Sequence, residues 1–234
     1  MKGRSKTVFN WSGGKDSVLA LQTLLGDNRY EVVSLLTTIS RETQASSIHS
    51  IPLGLLEKQA ECLGIPLFTV SMDKDLKNYD ARMQETVVHF KSQGVTHFAF
   101  GDIFLADVKD YRQSRLHPLG IEVVEPLWEK SPTEIMDEFF RSGIQSKIIV
   151  TRADKLDQSF IGKELNFHTV SLFPKGIDLC GENGEYHTFS YAGGIFKKEI
   201  GFSISQVGKV LYDIRLDTGQ TQTFEYWQAD LCLA

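Results

Sequence analysis

From Thr7 to Thr151 short apolar β-type runs alternate with helical stretches, and this restricts the fold more than any other feature of the chain. Thr7 to Trp11 is a short strand. A glycine loop follows, then a helix on which Val18, Leu19, Leu21, Leu24 and Leu25 recur at helical spacing up to Gly26. Glu31 to Ile39 (EVVSLLTTI) reads as a strand buried on both faces, Pro52 to Leu63 as a helix with proline in its first turn, and Leu67 to Val70 as a third strand. The pattern continues with a helix over Lys77 to Gln93, a strand over Thr96 to Ile103, a helix over Asp107 to Leu119 and a short strand over Ile121 to Val124. A helix over Pro132 to Arg141 and a strand over Lys147 to Thr151 complete it. Strands joined through helices imply right-handed crossovers and a parallel sheet. The expected fold is therefore α/β, a doubly wound, mostly parallel sheet that binds ligands beyond the carboxyl ends of its strands.

After about Arg152 the pattern changes. Residues 154–180 are loop-rich with one short helix, Cys180 to Phe189 is glycine-rich, and Gly208 to Leu233 alternates as strands around an Asp217-Thr218-Gly219 turn. This divides the chain into a loop-bearing domain over 1–128 and a smaller C-terminal α+β lobe over 129–234, a size that suits 234 residues. Tyr212, Phe224, Tyr226 and Trp227 make the last strands a candidate homodimer interface, and equally a cover for the chain's own core. The composition, 41% hydrophobic and 24% charged with a net charge of −5, fits a globular enzyme and argues against a broad nucleic-acid surface. No apolar run approaches the roughly 20 residues of a membrane span, and no apolar core follows the basic start, so a cytoplasmic location is expected. Cys62, Cys180 and Cys232 form no CxxC pair and read as reduced, buried thiols.

Val8 to Leu19 reads VFNWSGGKDSVL: a strand ends, two glycines follow, a helix starts. Glycines let a backbone turn sharply against a ligand, and free amides at a helix start favour an anion. Ser12 and Ser17 add hydroxyl donors, Lys15 a mobile positive charge, and Asp16 a carboxylate suited to a magnesium ion. Neither GxxxxGK[ST] nor GxGxxG is present, since Asp16 follows Lys15 and Phe9 stands where the first Walker glycine would be. An ordinary helix capped by Ser12 is the plainer alternative.

Ser12-Gly13-Gly14-Lys15-Asp16-Ser17 resembles the PP-loop of the N-type ATP pyrophosphatases. Three further segments narrow the resemblance: SIHSIPLGLLEKQAECLGIPLFTV (47–70), GDIFLADVKDYRQSRLHPLGIEVVEPLW (101–128) and CGENGEYHTF (180–189). In this order they resemble the diphthine–ammonia ligase, or diphthamide synthase, family over roughly residues 7 to 200, in its bacterial-type form. The resemblance implies an adenine nucleotide alpha hydrolase-like (HUP-type) sheet and the use of ATP with magnesium. It also implies an AMP-forming ligase that adenylates a carboxylate, releases pyrophosphate and forms an amide with ammonia. In the eukaryotic and archaeal members the carboxylate is on a protein, the diphthine of elongation factor 2.

Carried onto this sequence, the resemblance implies ATP contacts from Ser12 to Ser17, from the strand end Leu36, Thr37 and Thr38, and from Asp102. It implies substrate contacts from His49, Arg112, Arg115, Glu182, Asn183, Glu185 and His187, with Lys15, Asp16 and Glu185 catalytic. The residue types agree. Two acids three apart beside a histidine can bind a cation, hold magnesium or move a proton, and arginine suits a phosphate or carboxylate. The plain readings are a polar hairpin facing water for 180–189, a solvated helix for Arg112 and Arg115, and a structural loop histidine for His49. Two other functions stay open: a PP-loop enzyme of tRNA thiolation or sulfonucleotide reduction, and a non-catalytic nucleotide-binding regulator. The first needs a sulfur-handling cysteine, for which only Cys180 is placed, and often a basic face.

Overall fold

The structure, a computed structural model, describes residues 3–46, 49–73, 78–215 and 221–234. The predicted Asp217-Thr218-Gly219 turn lies outside them, as do Ser47 and Ile48 of the segment 47–70 and Lys77 at the start of the predicted third helix.

The first half is a five-stranded parallel sheet. Its strands are β1 (Ser5–Asn10), β2 (Tyr30–Ser40), β3 (Leu67–Met72), β4 (His97–Ala99) and β5 (Glu122–Val124), in the order β3-β2-β1-β4-β5. The connections run through α1 (Lys15–Leu25), α2 (Leu53–Leu63), α3 (Tyr79–Ser92) and α4 (Ala106–Leu116). Successive residues of β1 serve opposite faces. Phe9 packs with Leu21 and Leu24 of α1 and Leu55 and Leu56 of α2, whereas Val8 packs with Val87 and Phe90 of α3. The strand order reverses between β1 and β4, where Asn10 Nδ2 donates to the carbonyl of Ala99 across the gap (3.2 Å). A crevice at such a reversal is where open α/β sheets bind ligands.

Two expectations are corrected. The strand expected over Thr96 to Ile103 ends at Ala99. The Phe100 N–H makes a last bond to Val124, and Ile103 N–H turns instead to the Glu182 carboxylate, so this stretch leaves the sheet for the crevice. The strand at Lys147 to Thr151 does not extend the parallel sheet. It is β6 (Gln145–Arg152), the start of an antiparallel sheet in the order β7-β6-β9-β8 with β7 (Tyr186–Ala192), β8 (Phe202–Arg215) and β9 (Thr221–Leu233). The run Ile148-Ile149-Val150 predicts burial on both faces but carries no information about its neighbour, and both neighbours come from later in the chain.

Between the sheets, α5 (Pro132–Ser142) inserts Ile135, Met136 and Phe139 into a cluster that also contains Phe9, Ile148, Phe189 and Tyr226, so the two sheets share one apolar core. Tyr226 belongs to that cluster and Tyr212 and Phe224 pack against it, so these aromatics cover the chain's own core. Cys62 and Cys180 are buried as expected, but Cys232 is exposed near the end of β9. The start of α5 carries a full capping box: Ser131 Oγ accepts from Glu134 N–H (3.3 Å) and Glu134 Oε2 accepts from Ser131 N–H (2.8 Å). Ser131→Ala is expected to cost about 1 kcal/mol in urea unfolding, the usual value of such a cap; an unchanged midpoint would show that α5 is held by its apolar face alone.

Candidate functional site

The glycine loop leaves the carboxyl end of β1 and enters α1 within four residues. Gly13 allows this by adopting φ +81°, where a side chain is strained. The Ser12 N–H donates to Ser17 Oγ (3.1 Å) and the Gly14 N–H to Ser12 Oγ (3.4 Å), which curls the loop around its own amides. The N–H groups of Asp16 and Ser17 fall in the first turn of α1 and have no acceptor within the helix.

β7 holds the loop from behind. Ser190 N–H donates to the Gly13 carbonyl (2.9 Å), and Thr188 Oγ1 accepts from Lys15 N–H (2.9 Å). His187 presses on the backbone of Gly14, where a Cβ would stand 2.6 Å from His187 Cε1. The ring of His49, from the segment before α2, stacks flat on His187 at 3.3 Å between centroids. Burial pushes the His49 imidazole down to about 4. Burial, then His49 and Lys15, lower His187 well below the ordinary histidine range, so both rings are neutral near pH 7. His187 Nε2 is buried without a hydrogen-bond partner.

Lys15, expected as a mobile charge, is 3% exposed. Its ammonium donates to both Asp16 oxygens (2.7 and 2.9 Å) and to the Cys180 carbonyl, and lies 5.2 Å from the Tyr186 ring centroid. Burial alone would lower its pKa. The Asp16 carboxylate, together with Tyr186 and Cys180, more than offsets burial and holds Lys15 above the usual lysine range, so it is charged near pH 7. It therefore pins the 178–186 loop to the start of α1, besides supplying positive charge there.

That loop presents Asp178 and Glu182 to the same spot. Asp178 Oδ2 accepts from Glu182 N–H (2.8 Å), and Glu182 Oε1 accepts from Ile103 N–H (3.1 Å), next to Asp102. Burial, and then the nearby Asp16 charge, push the Glu182 carboxyl up to about 7. Glu185 is placed differently. Its Oε1 accepts from Asp178 N–H (3.3 Å) and Asn183 Nδ2 (3.5 Å), and its Oε2 is buried without a partner, so this carboxylate forms the floor of its own loop. Asn183 is exposed, and its carbonyl accepts from Arg152 Nη1 (3.4 Å).

The two arginines expected together on α4 point to different places. Arg112 turns inward, ion-paired with Asp102, 3.9 Å from Glu125 and stacked over Phe100. Burial lowers its pKa to about 10 against the pull of Glu125. Arg115 pairs with Asp80 of α3 (2.9 Å) and is exposed. On β2, Leu36 and Thr37 are buried and the Leu36 carbonyl accepts from Trp11 N–H (2.7 Å). The β1 ladder stops at Asn10↔Leu36, so Thr38 lies past the last rung.

Three residues of this site escaped the sequence reading: Asp178, Thr188 and Gln59. Gln59 carried a signal, an uncharged polar residue among Leu55, Leu56, Ala60 and Leu63 on the apolar stripe of α2. Among the described residues no group of three or more His, Cys, Asp or Glu side chains is arranged to hold a metal alone. Magnesium that arrives with a nucleotide takes one or two carboxylates and completes its shell with phosphate oxygens and water. Asp16, with Asp178 and Glu182 close by, fits that mode.

Residues 5–123 match the family model described as the diphthamide synthase N-terminal domain, and residues 131–215 that of the diphthamide synthase C-terminal domain. The human protein named diphthine–ammonia ligase is 25% identical over 230 residues, covering 84% of this chain and 82% of its own length. The zebrafish (Danio rerio) protein of the same name is 25% identical over 217 residues, covering 81% of this chain and 83% of itself. The Bos taurus protein, also so named, is 32% identical over 111 residues, which covers 44% of this chain and 42% of that protein. A crystal structure titled a predicted subunit of tRNA methyltransferase, from Methanocaldococcus jannaschii, aligns with a TM-score of 0.46 at 18% identity, over 84% of this chain and all of that one.

Proposed function

The chain belongs to the diphthamide synthase family, and from that premise we propose that it is an ATP-dependent ligase that joins ammonia to a substrate carboxylate, with AMP and pyrophosphate as products. The relatives are named for diphthine and ammonia, so an acceptor of that chemical class, a carboxylate carried by a protein, is the first to consider. The observation that carries this reading is the convergence of the glycine loop, Lys15 and Asp16 with Asp178 and Glu182 at the reversal of strand order.

In this reading the β- and γ-phosphates lie against the amides of Gly13, Gly14, Asp16 and Ser17, with Ser12 and Ser17 as hydroxyl donors. Adenine lies against Leu36, Thr37 and Thr38, where the open strand edge at Thr38 supplies backbone groups. An oxygen of the acceptor carboxylate attacks the α-phosphorus, the bond to the bridging oxygen breaks, and pyrophosphate leaves. Magnesium, held by Asp16 and phosphate oxygens, would offset charge on the leaving group. Ammonia then attacks the acyl carbon, the bond to AMP breaks, and one proton is lost from nitrogen. Glu182, with a pKa near 7 and next to Asp16, is the group suited to take it. Glu185 supports the loop that carries Glu182 rather than accepting the proton itself. Arg112, beside Asp102, is the arginine placed to meet the acceptor carboxylate. His49 and His187, both neutral, wall the glycine loop and keep water from it.

The test is stoichiometric. Purified protein with ATP, ammonium and a panel of carboxylates that begins with diphthine should yield AMP and pyrophosphate in equal amounts with amide. Formation of ADP and phosphate instead would sink the proposal.

A further inference from the structure

Gln59 has no solvent exposure, yet its side-chain amide makes three hydrogen bonds to two separate parts of the chain, the glycine loop and β7. Its Oε1 accepts from the indole N–H of Trp11 (2.8 Å). Its Nε2 donates to the carbonyls of Gly13 (3.0 Å) and Ser190 (2.7 Å). The amide cannot be turned round, because both Nε2 partners are acceptors and the Oε1 partner is a donor. The Gly13 carbonyl also accepts from Ser190 N–H, so both its lone pairs are used.

The consequence follows from the planarity of the peptide. The carbonyl of the Gly13–Gly14 peptide is held toward α2 and β7, so its N–H, on Gly14, points the other way, toward Ser12 Oγ and the inside of the loop. Two flanking glycines leave this peptide little torsional resistance of its own. Flipped, it would put a carbonyl oxygen where an anion's oxygen has to sit. A Cβ on Gly13 would stand 2.8 Å from Gln59 Oε1, so the two residues are fitted to each other.

We infer that Gln59 is a positioning residue for the glycine loop: it fixes the Gly13–Gly14 peptide with its N–H facing the bound phosphates, and through Ser190 it ties that orientation to the C-terminal sheet. This rests on the ATP reading above. It places the control of phosphate affinity on α2, outside the SGGKDS segment.

The experiment uses Gln59→Glu and Gln59→Met in the full chain. Gln59→Glu keeps the acceptor for Trp11 but, when ionised, cannot donate to Gly13 or Ser190. Gln59→Met fills the space without a buried charge and covers the case in which the first variant does not fold. Affinity for pyrophosphate, for AMP and for α,β-methylene ATP is measured by titration calorimetry beside melting temperature. Both variants should bind pyrophosphate at least about tenfold more weakly, the order expected when a buried amide donor is lost, while AMP affinity stays within about twofold. For Gln59→Glu the deficit relative to wild type should shrink as pH falls, because the protonated carboxyl donates again. Unchanged pyrophosphate affinity, or parallel loss of pyrophosphate and AMP, would overturn the inference while leaving the ATP reading intact. Wild-type protein that binds neither pyrophosphate nor the ATP analogue would sink the ATP reading and this inference with it.

Discussion

Lys15→Met is expected to slow pyrophosphate release by about 10²–10³-fold, the usual cost of losing one preorganised charge at a phosphoryl centre, and to destabilise the fold as well. The residue types alone suggest a flexible surface lysine whose loss would spare stability. The structure shows instead an ammonium 3% exposed between the Asp16 carboxylate and the Cys180 carbonyl. Removing one partner of a buried pair typically costs about 3–5 kcal/mol, and the lower end is the sensible figure here because the Asp16 side chain is 23% exposed to water. Rates and urea midpoints measured on the same preparation separate the two effects. Full stability with lost turnover would mean that the 178–186 loop is held without Lys15. Lost stability with normal turnover in the folded fraction would remove Lys15 from the chemistry.

Glu182→Gln is expected to leave binding of α,β-methylene ATP nearly unchanged and to reduce amide formation by about 10²–10⁴-fold, the range for losing a positioned proton acceptor. In wild-type protein the rate should rise with pH through about 7, where the Glu182 carboxyl ionises. Stability should move the opposite way. The folded carboxyl titrates near 7 and the unfolded one near 4.5, so between these values the native state holds the extra proton. Stability from this group is therefore full below about 4.5 and is lost as pH rises through about 7. The variant should show a flatter stability profile over that window. Glu185→Gln provides the contrast, since its carboxylate faces Asp178 N–H and Asn183. If Glu185→Gln abolished the ammonia step while Glu182→Gln did not, the roles assigned to the two acids would have to be exchanged.

What the sequence made legible was local. A strand, two glycines and a helix start lie within twelve residues, and α1, α2, α3 and α5 follow from helical spacing, with proline at the start of α2 and α5. Partners distant in the chain were not legible. The β6 run reads the same whether it joins a parallel or an antiparallel sheet, and β7 was hidden because its first half, Tyr186 to Phe189, belongs to a segment dominated by glycines and acids. Arg112 and Arg115 lie on one short helix, where Tyr111 and Arg115, four residues apart, share a face. The Asp80 that binds both Arg115 and the Tyr111 hydroxyl is on α3, where sequence spacing cannot place it. Glu182 and Glu185 have the same chemistry in sequence. Only the fold reveals that one meets Ile103 across the crevice and the other closes its own turn.

The bond from Lys15 N–H to Thr188 Oγ1 joins residues 173 apart, and the Lys15 contact with the Cys180 carbonyl joins residues 165 apart. Closing loops of that size is slow and comes late in folding. During synthesis the glycine loop emerges before the strand that braces it, which reaches Thr188 only 173 residues after Lys15. A nascent chain therefore carries the glycine loop through that whole interval without the brace that shapes it. Nucleotide affinity should appear in one step, when β7 docks, rather than build up with chain length. The order of synthesis thus leaves the glycine loop unshaped until the segment carrying Cys180 and Thr188 has also been made.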